Sequence, residues 1–148
     1  MLNLNQQALI PVLGQLDLNI PTRGLVISGQ ISANQATAIS AGTFVKRDPA
    51  QVGSLPQYLA ADADEDAEGV LLGTSKTDTF AAGEPCSVGS VGCIVYLTAK
   101  TTLAPQVKVE CNADGSMQAV DSGKQRGIAF DPGITDEVSR FLITNPVA

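Results

Sequence analysis

A chain of 148 residues with 44% hydrophobic content is long enough to bury one real core, and its formal charge of −6 argues against the basic surfaces that track nucleic-acid phosphates. The absence of histidine removes the side chain that titrates nearest neutrality, and with it Ser-His-Asp, Cys-His and histidine-ligated zinc chemistry. Aromatic residues make up only 4%, with no Trp, so Val, Ile, Leu and Ala must build the core. No stretch reaches the roughly 18 apolar residues of a membrane-crossing helix, and the N-terminus lacks the basic flank and apolar run of a signal peptide. Neither nucleic acid nor a membrane is an expected partner, and the chain is expected to be made in the cytoplasm and used without passing through a secretory pathway.

Residues 1–24 stand apart as an N-terminal arm. They carry Leu2, Leu4, Leu9, Ile10, Val12, Leu13, Leu16, Leu18 and Ile20, punctuated by Pro11, Gly14 and Pro21. The run Leu16-Asp17-Leu18-Asn19-Ile20 alternates strictly, which is strand periodicity, and the prolines break any helix. Such a segment is extended and sticky on one side. Either it forms the first strand of the chain's own sheet, or it adds a strand to another molecule, where backbone bonds give affinity and alternate leucines give specificity.

From Leu25 onward a cadence recurs: a small residue, a glycine, then a short apolar run. It reads Ala41-Gly42-Thr43-Phe44-Val45, Gly69-Val70-Leu71-Leu72-Gly73, Ala82-Gly83 leading to Val88, and Gly127-Ile128-Ala129-Phe130. Glycine supplies positive φ or close backbone approach, and the β-branched residues after it suit a pleated surface. Strands are expected at 25–27, 43–45, 69–73, 84–88, 93–98, 106–110, 117–120, 127–130 and 139–144. Residues 32–38 form either a short helix or a loop. A turn is marked by Asn112-Ala113-Asp114-Gly115. Residues 25–148 therefore read as an all-β domain, a sandwich or small barrel.

Every chemical motif fails a specific test. Asp62, Asp64 and Asp66 occupy the first, third and fifth places of a calcium loop, but Ala67 stands where glycine is required and Gly73 where glutamate is required. A hydrated acidic loop is the expectation, with no metal site. Gly123-Lys124 lacks the glycine-rich approach and the Ser or Thr of a phosphate loop. Ser75-Lys76, and Ser122 with Lys124, lack the desolvated surroundings that a serine–lysine nucleophile needs. Of the cysteines, Cys86 falls opposite Cys93 if Gly89-Ser90 is a two-residue hairpin turn, at a separation of about 5.5 Å that permits a bridge. A loop over 89–92 pairs Val88 with Cys93 instead. With Cys111 the count is odd, and buried thiols in a reducing compartment are expected.

From about Leu25 to Thr144 the order of these motifs resembles the capsid cement, or decoration, proteins of tailed bacteriophages. The resemblance rests on Ala41-Gly42 with Val45, and on Asp64-Glu65-Asp66-Ala67-Glu68 running into Gly69-Val70-Leu71-Leu72. It continues through Ala82-Gly83-Glu84-Pro85 to Val88, Gly92 with Ile94-Val95-Tyr96, Gly127-Ile128-Ala129-Phe130 and Arg140-Phe141-Leu142-Ile143. One departure is Leu103-Ala104-Pro105-Gln106-Val107, where the family often places glycine before the valine. The resemblance implies a β-tulip-type domain and a head-stabilising structural protein of the virion, with no catalytic residue and no cofactor. It implies binding to the major capsid protein on the exterior of the expanded head, as a homotrimer at or near three-fold positions, through the apolar residues of the arm. The competing readings are a head-fibre base, a tail element or a small β-fold hydrolase.

Overall fold

The computed structural model describes Gly14 and residues 25–51, 53–74 and 77–144, and contains no helix among them. In chain order the strands are β1 (Val26–Ile31), β2 (Ile39–Ser40), β3 (Phe44–Arg47), β4 (Gln57–Ala60), β5 (Gly69–Leu71) and β6 (Thr79–Phe80). They continue as β7 (Pro85–Gly89), β8 (Ile94–Thr98), β9 (Lys108–Cys111), β10 (Met117–Ala119), β11 (Gly127–Ala129) and β12 (Val138–Ile143). The fold is all-β. Strands β1-β4-β3-β5-β7 close into a barrel, β10-β9-β11-β12-β8 form a second sheet, and β2 pairs with β6. Strands β1 and β4 run parallel, with Gln30 opposite Gln57 and Ile31 opposite Tyr58, whereas the other strand pairs are antiparallel.

Two short strands explain how one chain keeps two cores. Successive side chains of a strand point to opposite faces. In β3, Phe44 faces the space between barrel and second sheet, while Val45 faces the barrel interior. In β5, Val70 and Leu71 divide in the same way, and all four side chains are buried. Phe44 meets Phe141 of the opposite sheet edge-on, with ring centroids 6.0 Å apart. The inter-sheet core is completed by Val95, Leu97, Val109, Met117 and Ile143, and the barrel interior by Ile31, Tyr58 and Val88.

The expected strands form with ends shifted by one to a few residues, and three more appear. Strands β2 and β6 are two residues long, and β4 buries Tyr58 between half-buried neighbours, which leaves no alternation to read. Residues 32–38 are a loop. It is drawn in by Asp48, whose carboxylate accepts from Ser32 Oγ and from Asn34 Nδ2 at 2.9 Å. Neither cysteine register occurs, because β7 and β8 do not pair with each other. Residues 89–92 turn the chain from the barrel into the second sheet, Cys86 lies opposite Gly29, and Cys93 packs in the other core. All three cysteines are free and buried. The Asn112–Gly115 turn joins β9 to β10 as expected, with Gly115 at φ 83°.

Glycine in the cadence serves close approach as well as turning. A Cβ on Gly127 would lie 2.0 Å from the Leu142 carbonyl oxygen across the β11–β12 ladder. Conversely, Gln106 holds φ 64° without being glycine. Pro105 precedes it and Val107 N–H donates to the Ala104 carbonyl, the pattern of a type II turn with glycine missing from its usual place. Positive φ costs an L-residue about 1–2 kcal/mol, partly offset by the larger entropy that glycine loses on folding. Gln106 is exposed, so Gln106→Gly is expected to raise stability by up to about 1 kcal/mol, and Gln106→Val to lower it, as read from urea midpoints at unchanged slope.

Candidate functional site

Gly14, the one described residue before Leu25, packs on the folded body. Its N–H donates to the Tyr96 carbonyl at 2.8 Å, and its own carbonyl accepts from Gly73 N–H at 2.9 Å. Tyr96 belongs to β8, the outer strand of the second sheet, and Gly73 follows β5 of the barrel, so Gly14 touches both halves at once. It is buried at φ 73° against the Ala41–Gly42 turn. That turn is itself fixed by Gly42 N–H donating to the Leu71 carbonyl at 2.8 Å.

At the acidic segment before β5 the two halves are also joined by polar groups. Glu110 on β9 is only 2% exposed, and its carboxylate accepts from Gln118 Nε2 at 2.7 Å, Gly123 N–H at 2.6 Å and Asp121 N–H at 3.0 Å. The loop it holds leans on the acidic segment, where Lys124 N–H donates to the Ala63 carbonyl at 2.8 Å. Two residues on, the fully buried Arg126 sends Nη2 to the carbonyls of Asp62 and Glu65 and stacks its guanidinium 5.5 Å above the Phe44 ring. Burial pulls its pKa below the usual arginine value, while Cys111, Asp66, Glu65 and Asp64 act in the opposite direction.

The acidic segment lies at the surface, as expected, with partners that the sequence did not show. Asp62, Asp64 and Asp66 are exposed, but the segment is pinned: Lys46 pairs with Glu65, Arg47 with both oxygens of Glu68, and Lys124 with Asp66. Lys46, Arg47, Glu65, Asp66 and Glu68 line a shallow groove of about 650 Å³ beside Pro49, its charges of both signs answering one another. Among the described residues no group of three or more metal-ligating side chains is arranged to hold an ion. Ser122 is exposed and Lys124 is turned to Asp66, so the serine–lysine pairing does not form there. Ser75 and Lys76 lie outside the described residues, as do Leu2, Leu4, Leu9, Ile10, Val12, Leu13, Leu16, Leu18 and Ile20 of the arm. Sequence reasoning treated Gly14 as punctuation and passed over Arg126 and Glu110. The signal for all three lies in three-dimensional neighbours.

Some apolar side chains face solvent around the corner where the barrel hands over to the second sheet. Leu25 is 62% and Val91 51% exposed, Val26 adjoins them, and Ser90 N–H donates to the Leu25 carbonyl. The corner thus presents an apolar face beside the start of β1.

No protein-family model and no curated protein matches the chain. Among solved structures it is similar to the N-terminal base of the head fibre protein gp8.5 of bacteriophage phi29. The match has a TM-score of 0.58 and 10% sequence identity, and it covers 84% of this chain and 98% of that one. At that identity the likeness is one of fold.

The joint makes the protein acid-sensitive in a stated direction. Burial pushes the Glu110 pKa up, but hydrogen bonds from Asp121, Gln118, Gly123 and Ser122 outweigh it and hold the group below its ordinary 4.5. The unfolded chain therefore takes up the proton first, so the stabilisation is whole above about pH 4.5 and is lost as pH falls through the folded value. Hydrogen bonds hold Asp48, Glu65 and Asp114 low in the same sense. Glu110→Gln is expected to lower the urea midpoint at neutral pH and to flatten its fall between about pH 5 and pH 3.

Proposed function

We propose that this chain is a structural protein of a tailed-phage virion that binds the exterior of the expanded head and stabilises the shell against internal DNA pressure. The observation that carries the reading is the likeness in fold to a phage head-fibre base over nearly the whole of that chain. The order of glycine-led motifs along the sequence supports the same class. The net charge of −6 suits a protein that sits outside the shell and avoids the packaged DNA.

In this reading the protein works without catalysis. Its partner is the major capsid protein, and the apolar residues of the arm supply the contact, by adding a strand to the capsid surface. A homotrimer at or near a three-fold position engages several capsid sites at once, so modest individual contacts multiply through avidity. A ligand that binds only the assembled lattice stabilises it by mass action.

A second reading, favoured by the same structural likeness, makes the domain the base of a head fibre. The two differ in what the head loses without the protein. A cement protein leaves heads that assemble but release DNA at lower temperature or under milder osmotic stress. A fibre base leaves heads that lack an appendage and keep their release curve.

Saturable binding of the purified chain to expanded heads tests both. The cement reading expects decorated heads to retain DNA to a higher temperature than bare heads. Substituting Leu16 and Leu18 by Asp is expected to remove much of that gain, by placing unpaired charges on a face meant for burial. Indistinguishable release curves for decorated and bare heads would sink the cement reading.

A further inference from the structure

We infer that the notch between Tyr96 and Gly73, floored by the Ala41–Gly42 turn, is a docking site for the chain's own N-terminal arm, seated in cis through Gly14. The docking stands on geometry alone; its use, to bring load from a head-bound arm into the domain, rests on the capsid reading.

Strand β8 explains why a main-chain donor is held there. Among the described strands it pairs with β12, at the end of the sheet order. Ala99 N–H donates to the Glu137 carbonyl and Ile143 N–H to the Cys93 carbonyl, so odd-numbered residues along β8 turn their main-chain groups toward β12. Even-numbered residues, Tyr96 among them, turn theirs the other way, because backbone groups alternate along an antiparallel ladder. An outer strand of this kind is a template for another chain. Further along, the isolated bridge between Ala99 and Met117 brings β10 against this edge, and Gly14 meets it at Tyr96 just before that bridge.

The notch selects glycine. A Cβ on residue 14 would stand 2.7 Å from the Ala41 Cβ and 2.8 Å from the Gly42 nitrogen, closer than real side chains approach, and φ 73° adds strain for any L-residue. The floor is not free to give. Gly42 is tied to Leu71 of the barrel, and the Gly115 turn of the second sheet abuts it, where an added Cβ would meet the Gly42 carbonyl oxygen at 2.9 Å. Both hydrogen bonds of the seat are main-chain bonds, so the notch reads backbone shape and the absence of a side chain. Pull on the arm then enters the body at Tyr96 of the second sheet and Gly73 of the barrel together, and not through the start of β1 alone.

Amide hydrogen exchange on the full chain tests the docking without any capsid. The Gly73 amide, which donates to Gly14, is expected to exchange about tenfold or more faster in Gly14→Val than in the wild-type chain, while the Ile143 amide stays unchanged. Deleting residues 1–10, which leaves Gly14 in place, is expected to preserve Gly73 protection. Equal Gly73 exchange in wild type and Gly14→Val would overturn the proposal, as would loss of protection in the deletion. Protection that disappears on dilution would overturn it too, in favour of an arm donated by a second copy. Failure of the wild-type chain to bind heads would reject the capsid reading and leave the seat standing.

Discussion

The arrangement of this protein turns on one buried cation. Arg126 is fully hidden, and a charge taken out of water is costly unless hydrogen bonds and opposite charges replace what water supplied. Here two carbonyls of the acidic segment receive its guanidinium, the Phe44 ring lies beneath it, and Asp64, Glu65 and Asp66 hold its charge in place. Its backbone is equally committed: the N–H donates to Val109, and the carbonyl accepts from Thr144. One residue thus fixes β9, the end of β12 and the acidic segment relative to one another. The carboxylates are a structural counter-field that happens to face solvent on one side.

That joint accounts for the division into two cores. A barrel built of strands as short as β5 encloses little volume, and a five-stranded sheet has one face to hide. Packing the sheet against the outside of β3 and β5 solves both problems, provided those strands are apolar on both faces. Phe44-Val45 and Val70-Leu71 meet that requirement. Cysteine follows the same logic. Burial pushes the Cys86 thiol up to about 11 and raises Cys111 as well, so these side chains act as small hydrophobes at neutral pH.

The sequence made the local elements legible and left the long-range ones unread. Alternation and glycine placement announced the stretches that became β3, β5, β7, β8 and β9 to β12, because strand periodicity and turn chemistry are local properties. The corner at 89–92 was invisible, since a glycine-rich turn between two apolar runs looks the same whether the strands pair or part. Arg126 was unreadable for a related reason: an arginine beside Lys124 and Gln125 resembles surface until Asp62 and Glu65 arrive from 61 or more residues away. Of the candidate site, the role of Gly14 required Tyr96, Gly73 and Ala41 to be brought together.

The glycines carry the last step. In this chain they permit strands to approach where a side chain would collide, as at Gly127, and they let turns stack on one another, as at Gly42 and Gly115. Gly14 belongs with these by geometry although it lies in the arm by sequence. A residue whose surroundings demand the absence of a side chain is part of the fold, whatever segment it comes from. Held at once by Tyr96 of the second sheet and by Gly73 after β5 of the barrel, this glycine ties the two halves together from the side of the Ala41–Gly42 turn.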